Sequence, residues 1–156
     1  MIEMNIPGRG IFQIEYVVCD VNGTLAVDGI LLPGMISAIQ KIKDRVKVYL
    51  ITANTHGNQE KISHELGIDA IIIDKGNESV QKKDFMKNLG SEKVIAIGQG
   101  SNDAKMLQEA AIGICVFSEE GTATETLLSA DIVVNNGIDA ISLIQHPMRM
   151  VATLRK

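Results

Sequence analysis

Tryptophan is absent from this chain of 156 residues, and aromatic residues make up only 3% of it. A core without large rings must be filled by aliphatic side chains and by methionine, of which there are seven. Cysteine is scarce too. Cys19 and Cys115 each sit inside an apolar run, and nothing has Cys-x-x-Cys spacing. That argues against a zinc site and for buried thiols in a reducing, cytoplasmic setting. No apolar stretch approaches the ~20 residues of a membrane span. The start, Met1-Ile-Glu-Met-Asn-Ile-Pro-Gly-Arg-Gly10, lacks the basic-then-apolar plan of a secretory leader. There is no basic run and the net charge is -4, so nucleic acid is not an expected partner.

What is present is apolar sequence in short pieces. The chain is 46% hydrophobic, enough at this length for one domain over residues 1–156. Short apolar runs at residues 14–19, 46–51, 70–73, 94–97, 112–117 and 131–134 read as strands covered on both faces. Helix-period segments fall between them, at residues 33–44, 56–66, 79–89, 101–110, 122–129 and 138–144. Gly67 and Gly90 suit helix stops. This alternation implies an α/β fold of three layers, a mainly parallel sheet with helices on both faces. Residues 1–13 read as a strand and turn added at a sheet edge, and residues 24–32 as a small flap hairpin turning at Asp28-Gly29.

Open parallel sheets place ligands outside the carboxyl ends of their strands. Asp20, in Asp20-Val-Asn-Gly-Thr-Leu25, ends one strand, Thr52-Ala-Asn54 ends another, and Gly98-Gln-Gly-Ser-Asn-Asp103 ends a third. A carboxylate at the end of a buried strand is costly unless a cation or a reaction meets it. Asp20 reads as a nucleophile toward a phosphoryl group. The Thr52 hydroxyl, with backbone N–H groups around Asn22, Gly23 and Ala53, reads as the phosphoryl cradle. Lys82, in a helix start that Ser79 caps, supplies positive charge, with Lys75 and Lys83 as competitors. Asp103 reads as a Mg²⁺ ligand, with the Asn22 carbonyl as another. Gly98 and Gly100 allow close backbone approach to the metal or phosphate. Each feature also has a plain reading: Asp20 as a turn residue, Thr52 as an ordinary strand residue, Asp103 as a charge at a helix start, and His56, His64 and His146 as surface residues.

These motifs resemble the haloacid-dehalogenase-like superfamily of phosphatases and phosphotransferases, and within it the phosphorylation domain of P-type ATPases. Asp20-Val-Asn-Gly-Thr-Leu25 resembles the first motif, Ile51-Thr-Ala53 the second, Ser79-Val-Gln-Lys82 the lysine-bearing helix start, and Gly98-Gln-Gly-Ser-Asn-Asp103 the metal-binding motif. The resemblance spans residues 14 to 135. It implies a Mg²⁺-dependent phosphohydrolase acting through an aspartyl-phosphate, with Asp20, Asn22, Gln99 and Asp103 around the metal and a phosphorylated substrate as partner.

Two positions depart from the superfamily pattern. Asn22 stands where most of its phosphatases carry an Asp that works as general acid and base, and an amide cannot transfer a proton. Gln99 stands where the superfamily has a metal-binding Asp. Asn22 implies slow turnover, phosphotransfer or a very good leaving group, and Gln99 implies weak Mg²⁺ affinity. Residues 26–51 and 53–81 leave no room for a cap domain; the resemblance implies that such open relatives act on large substrates or complete the site with a neighbouring copy, and a homo-oligomer is expected. A second reading is a degenerate relative that binds a phosphate ligand or a protein partner, such as a P-type ATPase, without turnover. A third, a receiver-like phospho-acceptor, lacks the acidic pair such domains place near the end of the first strand.

Overall fold

A computed structural model of the chain describes residues 1–53 and 57–156. The readings placed on Asn54 and His56, and the first residue of the helix expected from 56, lie outside the described residues. After a first hairpin, β1 (Ile2–Ile6) and β2 (Gly10–Ile14), the chain enters the main sheet at β3 (Tyr16–Asp20). The short strands β4 (Ala26–Val27) and β5 (Ile30–Leu31) pair antiparallel on either side of Asp28-Gly29. Then follow α1 (Met35–Gln40), β6 (Lys47–Thr52), α2 (Gln59–Leu66), β7 (Ala70–Ile72), α3 (Glu78–Leu89), β8 (Val94–Gly98), α4 (Ala104–Glu109), β9 (Ile112–Val116), α5 (Thr124–Ser129), β10 (Ile132–Val134), α6 (Gly137–Gln145) and α7 (Pro147–Leu154).

Six of these strands form one parallel sheet in the order β10-β9-β8-β3-β6-β7. The chain runs outward from β3 through β6 to β7, then returns to β8 on the other side of β3. That reversal makes the β3/β8 boundary the topological switch point, where such sheets bind ligands. Side chains alternate along β3. Val17 and Cys19 join the larger core with Ile95, Ile97, Ile114 and Ile141. Val18 faces the other way, into a second core with Met86, Met106 and Leu107. Helices therefore cover both faces, which is why the strands are apolar throughout.

The amino-terminal hairpin corrects an expectation. It pairs only with itself, as a two-stranded sheet, and extends no edge of the main sheet. The cause is position. β2 ends one residue before β3, which is the interior strand of the sheet, so both edges lie out of reach. The hairpin instead lays its alternating Ile2, Met4 and Ile6 on the larger core, where α7 packs against β1. A second difference concerns α3. It begins at Glu78 after Asn77 in a left-handed conformation, φ 57°, and Ser79 lies inside its first turn without capping it. The loop before α3 is held by Gln81. The Gln81 Nε2 donates to the carbonyls of Asp74 and Gly76 at 3.0 and 2.9 Å, and its Oε1 accepts the Asp74 N–H at 3.0 Å.

Candidate active site

A small cleft at the switch point is lined by Asp20, Asn22, Thr52, Ala53, Lys82, Gln99, Gly100 and Asn102. β3 delivers Asp20, β6 delivers Thr52, and β8 delivers the loop that starts at Gln99. α3, packed against α4 and the Ser101–Asp103 turn, delivers Lys82, only 1% exposed, to the same place. Lys75 is exposed, and Lys83 reaches Glu109 at 3.8 Å on the surface. Lys82 is thus the one of the three lysines that meets Asp20.

The Lys82 Nζ donates to Asp20 Oδ1 at 2.7 Å, to Asp103 Oδ1 at 2.6 Å and to Asn102 Oδ1 at 3.2 Å. The Thr24 hydroxyl donates to Asp20 Oδ2 at 3.2 Å. Burial pushes the Asp20 carboxyl up, the charge on Asp103 pushes the same way, and the bonds from Lys82 and Thr24 pull back; Asp20 ends at about 7. Burial alone would lower Lys82, but two carboxylates outweigh it and hold the ammonium above its ordinary range. With Asp20 ionised, two acids and one base, all buried, leave one negative charge in excess. A phosphoryl group would add to that excess, so the site calls for a further cation.

Asp103 meets a different arrangement from the one expected of a metal ligand. Its Oδ2 accepts the N–H groups of Gln99 and Gly100 at 3.0 and 3.1 Å, while Oδ1 accepts Lys82. Both oxygens are engaged because the chain folds tightly from Gly98 into a 3₁₀ turn at Ser101–Asp103, bringing the carboxylate back onto its own loop. Gly98 makes this possible: a Cβ there would lie 2.6 Å from the Asp103 Cγ. Gly100 is under no such constraint, its Cβ position being 3.6 Å from the nearest atom.

Gly23 also differs from expectation. Its N–H donates to the Ala26 carbonyl at 2.7 Å, closing the turn after β3, and so is spent within the turn. The Asn22 Nδ2 donates to Thr52 Oγ1 at 3.2 Å, which keeps the amide in the cleft. The Gln99 Nε2 donates to the Gly121 carbonyl at 3.1 Å, tying the β8 loop to the loop after β9. Thr24 and Asn102 take part without having been singled out from sequence. Both lie inside the two motifs, and their type, hydroxyl or amide next to a buried charge, was the available signal.

Among the described residues no group of three His, Cys, Asp or Glu side chains forms a metal cage. The donors that face the cleft are hard oxygens all the same. Each Asp20 oxygen accepts one of the hydrogen bonds described, and a carboxylate has about four lone-pair sites, so Asp20 keeps acceptor capacity. One carboxylate with amide oxygens, waters and substrate phosphate is a donor set that Mg²⁺ accepts. Lys82 occupies one oxygen of the same carboxylate.

Comparison with known proteins identifies the family. The family model described as "haloacid dehalogenase-like hydrolase" matches residues 6–111. An uncharacterized protein of Methanocaldococcus jannaschii is 42% identical over 84 residues, which is 51% of this chain and 90% of that protein. A probable copper-exporting P-type ATPase of Archaeoglobus fulgidus is 32% identical over 87% of this chain, but the match spans only 17% of the ATPase. The solved 3-deoxy-D-manno-octulosonate 8-phosphate phosphatase of Moraxella catarrhalis, a complex with magnesium and phosphate ions, superposes with a TM-score of 0.65 at 21% identity, covering 91% of this chain and 94% of that one. Because the family model covers well over half of its length, the chain belongs to the haloacid dehalogenase-like hydrolases.

Proposed function

We propose that this protein is a Mg²⁺-dependent phosphohydrolase acting through an aspartyl-phosphate on Asp20. The observation that carries the reading is the Lys82 ammonium held between Asp20 and Asp103 at the switch point. Asp20 attacks phosphorus and the bond to the ester oxygen breaks. The departing alcohol takes its proton from solvent, because the amide of Asn22 has none to give. Water then attacks the aspartyl-phosphate, releases inorganic phosphate, loses its proton to solvent and restores the carboxylate. Thr52 and Ala53 hold the phosphoryl oxygens, and Lys82 offsets their charge. Asp103 acts as the positioning residue that aims Lys82. Asp20, Asn22 and Gln99 would hold Mg²⁺, which when bound supplies charge stabilisation to the phosphoryl oxygens.

The substrate is a phosphate monoester or an acyl phosphate, and turnover is slow. The test is hydrolysis of an aryl phosphate by the wild type and by Asp20→Asn, with and without Mg²⁺. Hydrolysis that requires Mg²⁺ and vanishes in the variant is the expected result. Equal rates for the two proteins would overturn the reading and favour a phosphate-binding or regulatory protein, for which the Gln99 amide, bonded to Gly121, is the supporting observation.

A further inference from the structure

A second cavity opens one residue along the turn that carries Asn22. Its volume is about 560 Å³, against about 150 Å³ for the Asp20 cleft, and lies within the ~300–1,000 Å³ usual for small-molecule sites. Asn22 lines the cleft, whereas Gly23 and Thr24 line the cavity. Gln99 is the ridge between them. It lines the cleft, and its amide lies so close over Gly23 that a Cβ there would sit 2.4 Å from Nε2.

The cavity has a definite chemistry. Leu32 and Ile138 give it apolar walls. Phe117 stands at the wall 50% exposed, in a chain with three phenylalanines and no tryptophan. An open aromatic face of this kind stacks on C–H surfaces or takes a cation. Asn136 spends its Oδ1 on the Asp139 N–H at 2.9 Å, capping α6, and keeps its amide N–H groups to donate to a hydroxyl. Among the described residues no Lys, Arg or His lines the cavity, and Glu119 is its charged residue. The positive end of α6 is already met by Asp139 in its first turn. The walls are also held together: Glu120 accepts the Asp28 N–H at the hairpin tip at 3.2 Å, one residue before the Gly121 carbonyl that Gln99 binds.

We propose that this cavity seats the alcohol portion of the substrate, and that it selects a phosphate monoester of an uncharged or cationic alcohol over one carrying a carboxylate or a second phosphate. The proposal rests on the Asp20 cleft being the phosphoryl site. The cavity adjoins the cleft where Gln99 lies over Gly23, so the alcohol of an ester whose phosphoryl group sits at Asp20 would reach Phe117 and Glu119 by crossing that ridge. An anionic alcohol there faces a carboxylate with no cation to answer it.

The test is calorimetric titration of Asp20→Asn protein, in Mg²⁺, with inorganic phosphate, phosphoethanolamine, glycerol 1-phosphate and 3-phosphoglycerate. Phe117→Ala and Glu119→Lys, both at exposed positions, are then added to that background. Phosphoethanolamine and glycerol 1-phosphate should bind at least about fivefold tighter than 3-phosphoglycerate, the scale of one like-charge contact in a water-like dielectric. Glu119→Lys should reverse that order, and Phe117→Ala should weaken the organic esters relative to inorganic phosphate. Equal affinities, an order that neither variant changes, or no binding of any ester overturns the proposal. Acetyl phosphate hydrolysis by the wild type, measured separately, reports on Asp20. Its absence with the preference intact overturns the Asp20 reading alone, and its presence without the preference overturns the cavity alone.

Discussion

Asn22 is where a single atom exchange should change the chemistry most. Its amide lies in the cleft, donating to Thr52 at 3.2 Å, two residues beyond the proposed nucleophile. A carboxyl of the same shape at that place can hand a proton to a departing alcohol and take one from an attacking water, a contribution of about 10²–10⁴ in rate. Asn22→Asp is therefore expected to raise kcat on alkyl phosphates by about 10² or more, and to raise it far less on acetyl phosphate, whose leaving group needs no proton. Steady-state rates on the two substrate types check this; an equal gain on both would show that residue 22 acts through charge or metal affinity instead. The two cysteines play no part in such chemistry. Burial pushes both thiols up, Cys115 to about 11, so neither is a thiolate at neutral pH.

The junction between β8 and α4 shows why part of the site was legible in the sequence and part was not. Asp20 and Thr52 end apolar runs, and a strand end is visible one residue at a time. Lys82 was one of three candidates, because only the packing of α3 and of the loop before it decides which lysine turns inward. The bond from Lys82 to Asp103 joins positions 21 residues apart on two elements, and no local pattern records it. The spent N–H of Gly23 is hidden in the same way, since it depends on how tightly the turn to Ala26 closes. Gly98 and Gly100 look alike in the motif, yet only one is sterically obliged. Gly98→Ala would drive a methyl group into the Asp103 carboxylate, displacing the residue that aims Lys82. It should cost about 2–3 kcal/mol in stability, the scale of overpacking, and reduce phosphatase activity along with it. Gly100→Ala adds an ordinary van der Waals contact, and should stay within about 1 kcal/mol of the parent. Urea denaturation of the two variants side by side checks the contrast, and equal losses would refute it.

At the scale of the molecule, the active-site end and the opposite end of the sheet are built from different parts. The carboxyl ends of β3, β6 and β8 carry the chemistry. Their amino ends are tied by Glu15, whose N–H donates to the Lys93 carbonyl at 3.0 Å and whose carbonyl accepts the Lys47 N–H at 2.9 Å. The β1–β2 hairpin lies next to this end, and α7 clamps it: Met150 is fully buried beside Ile2 and Ile6, and the Lys156 N–H donates to the Pro7 carbonyl at 2.9 Å. The larger core is thus closed by two segments from opposite ends of the sequence, neither of which touches the cleft. Met150→Ala leaves a cavity under the hairpin and should cost about 2–5 kcal/mol. For a domain of this size that corresponds to a fall in Tm of roughly 5–15 °C. Activity measured well below the new Tm should match the parent, because Met150 sits in the core closed by the hairpin and the switch-point residues are held by α3 and the β8 loop. A variant that lost activity in step with stability at low temperature would show that the hairpin and the cleft move together, and that closure of the core by α7 also sets the position of β3.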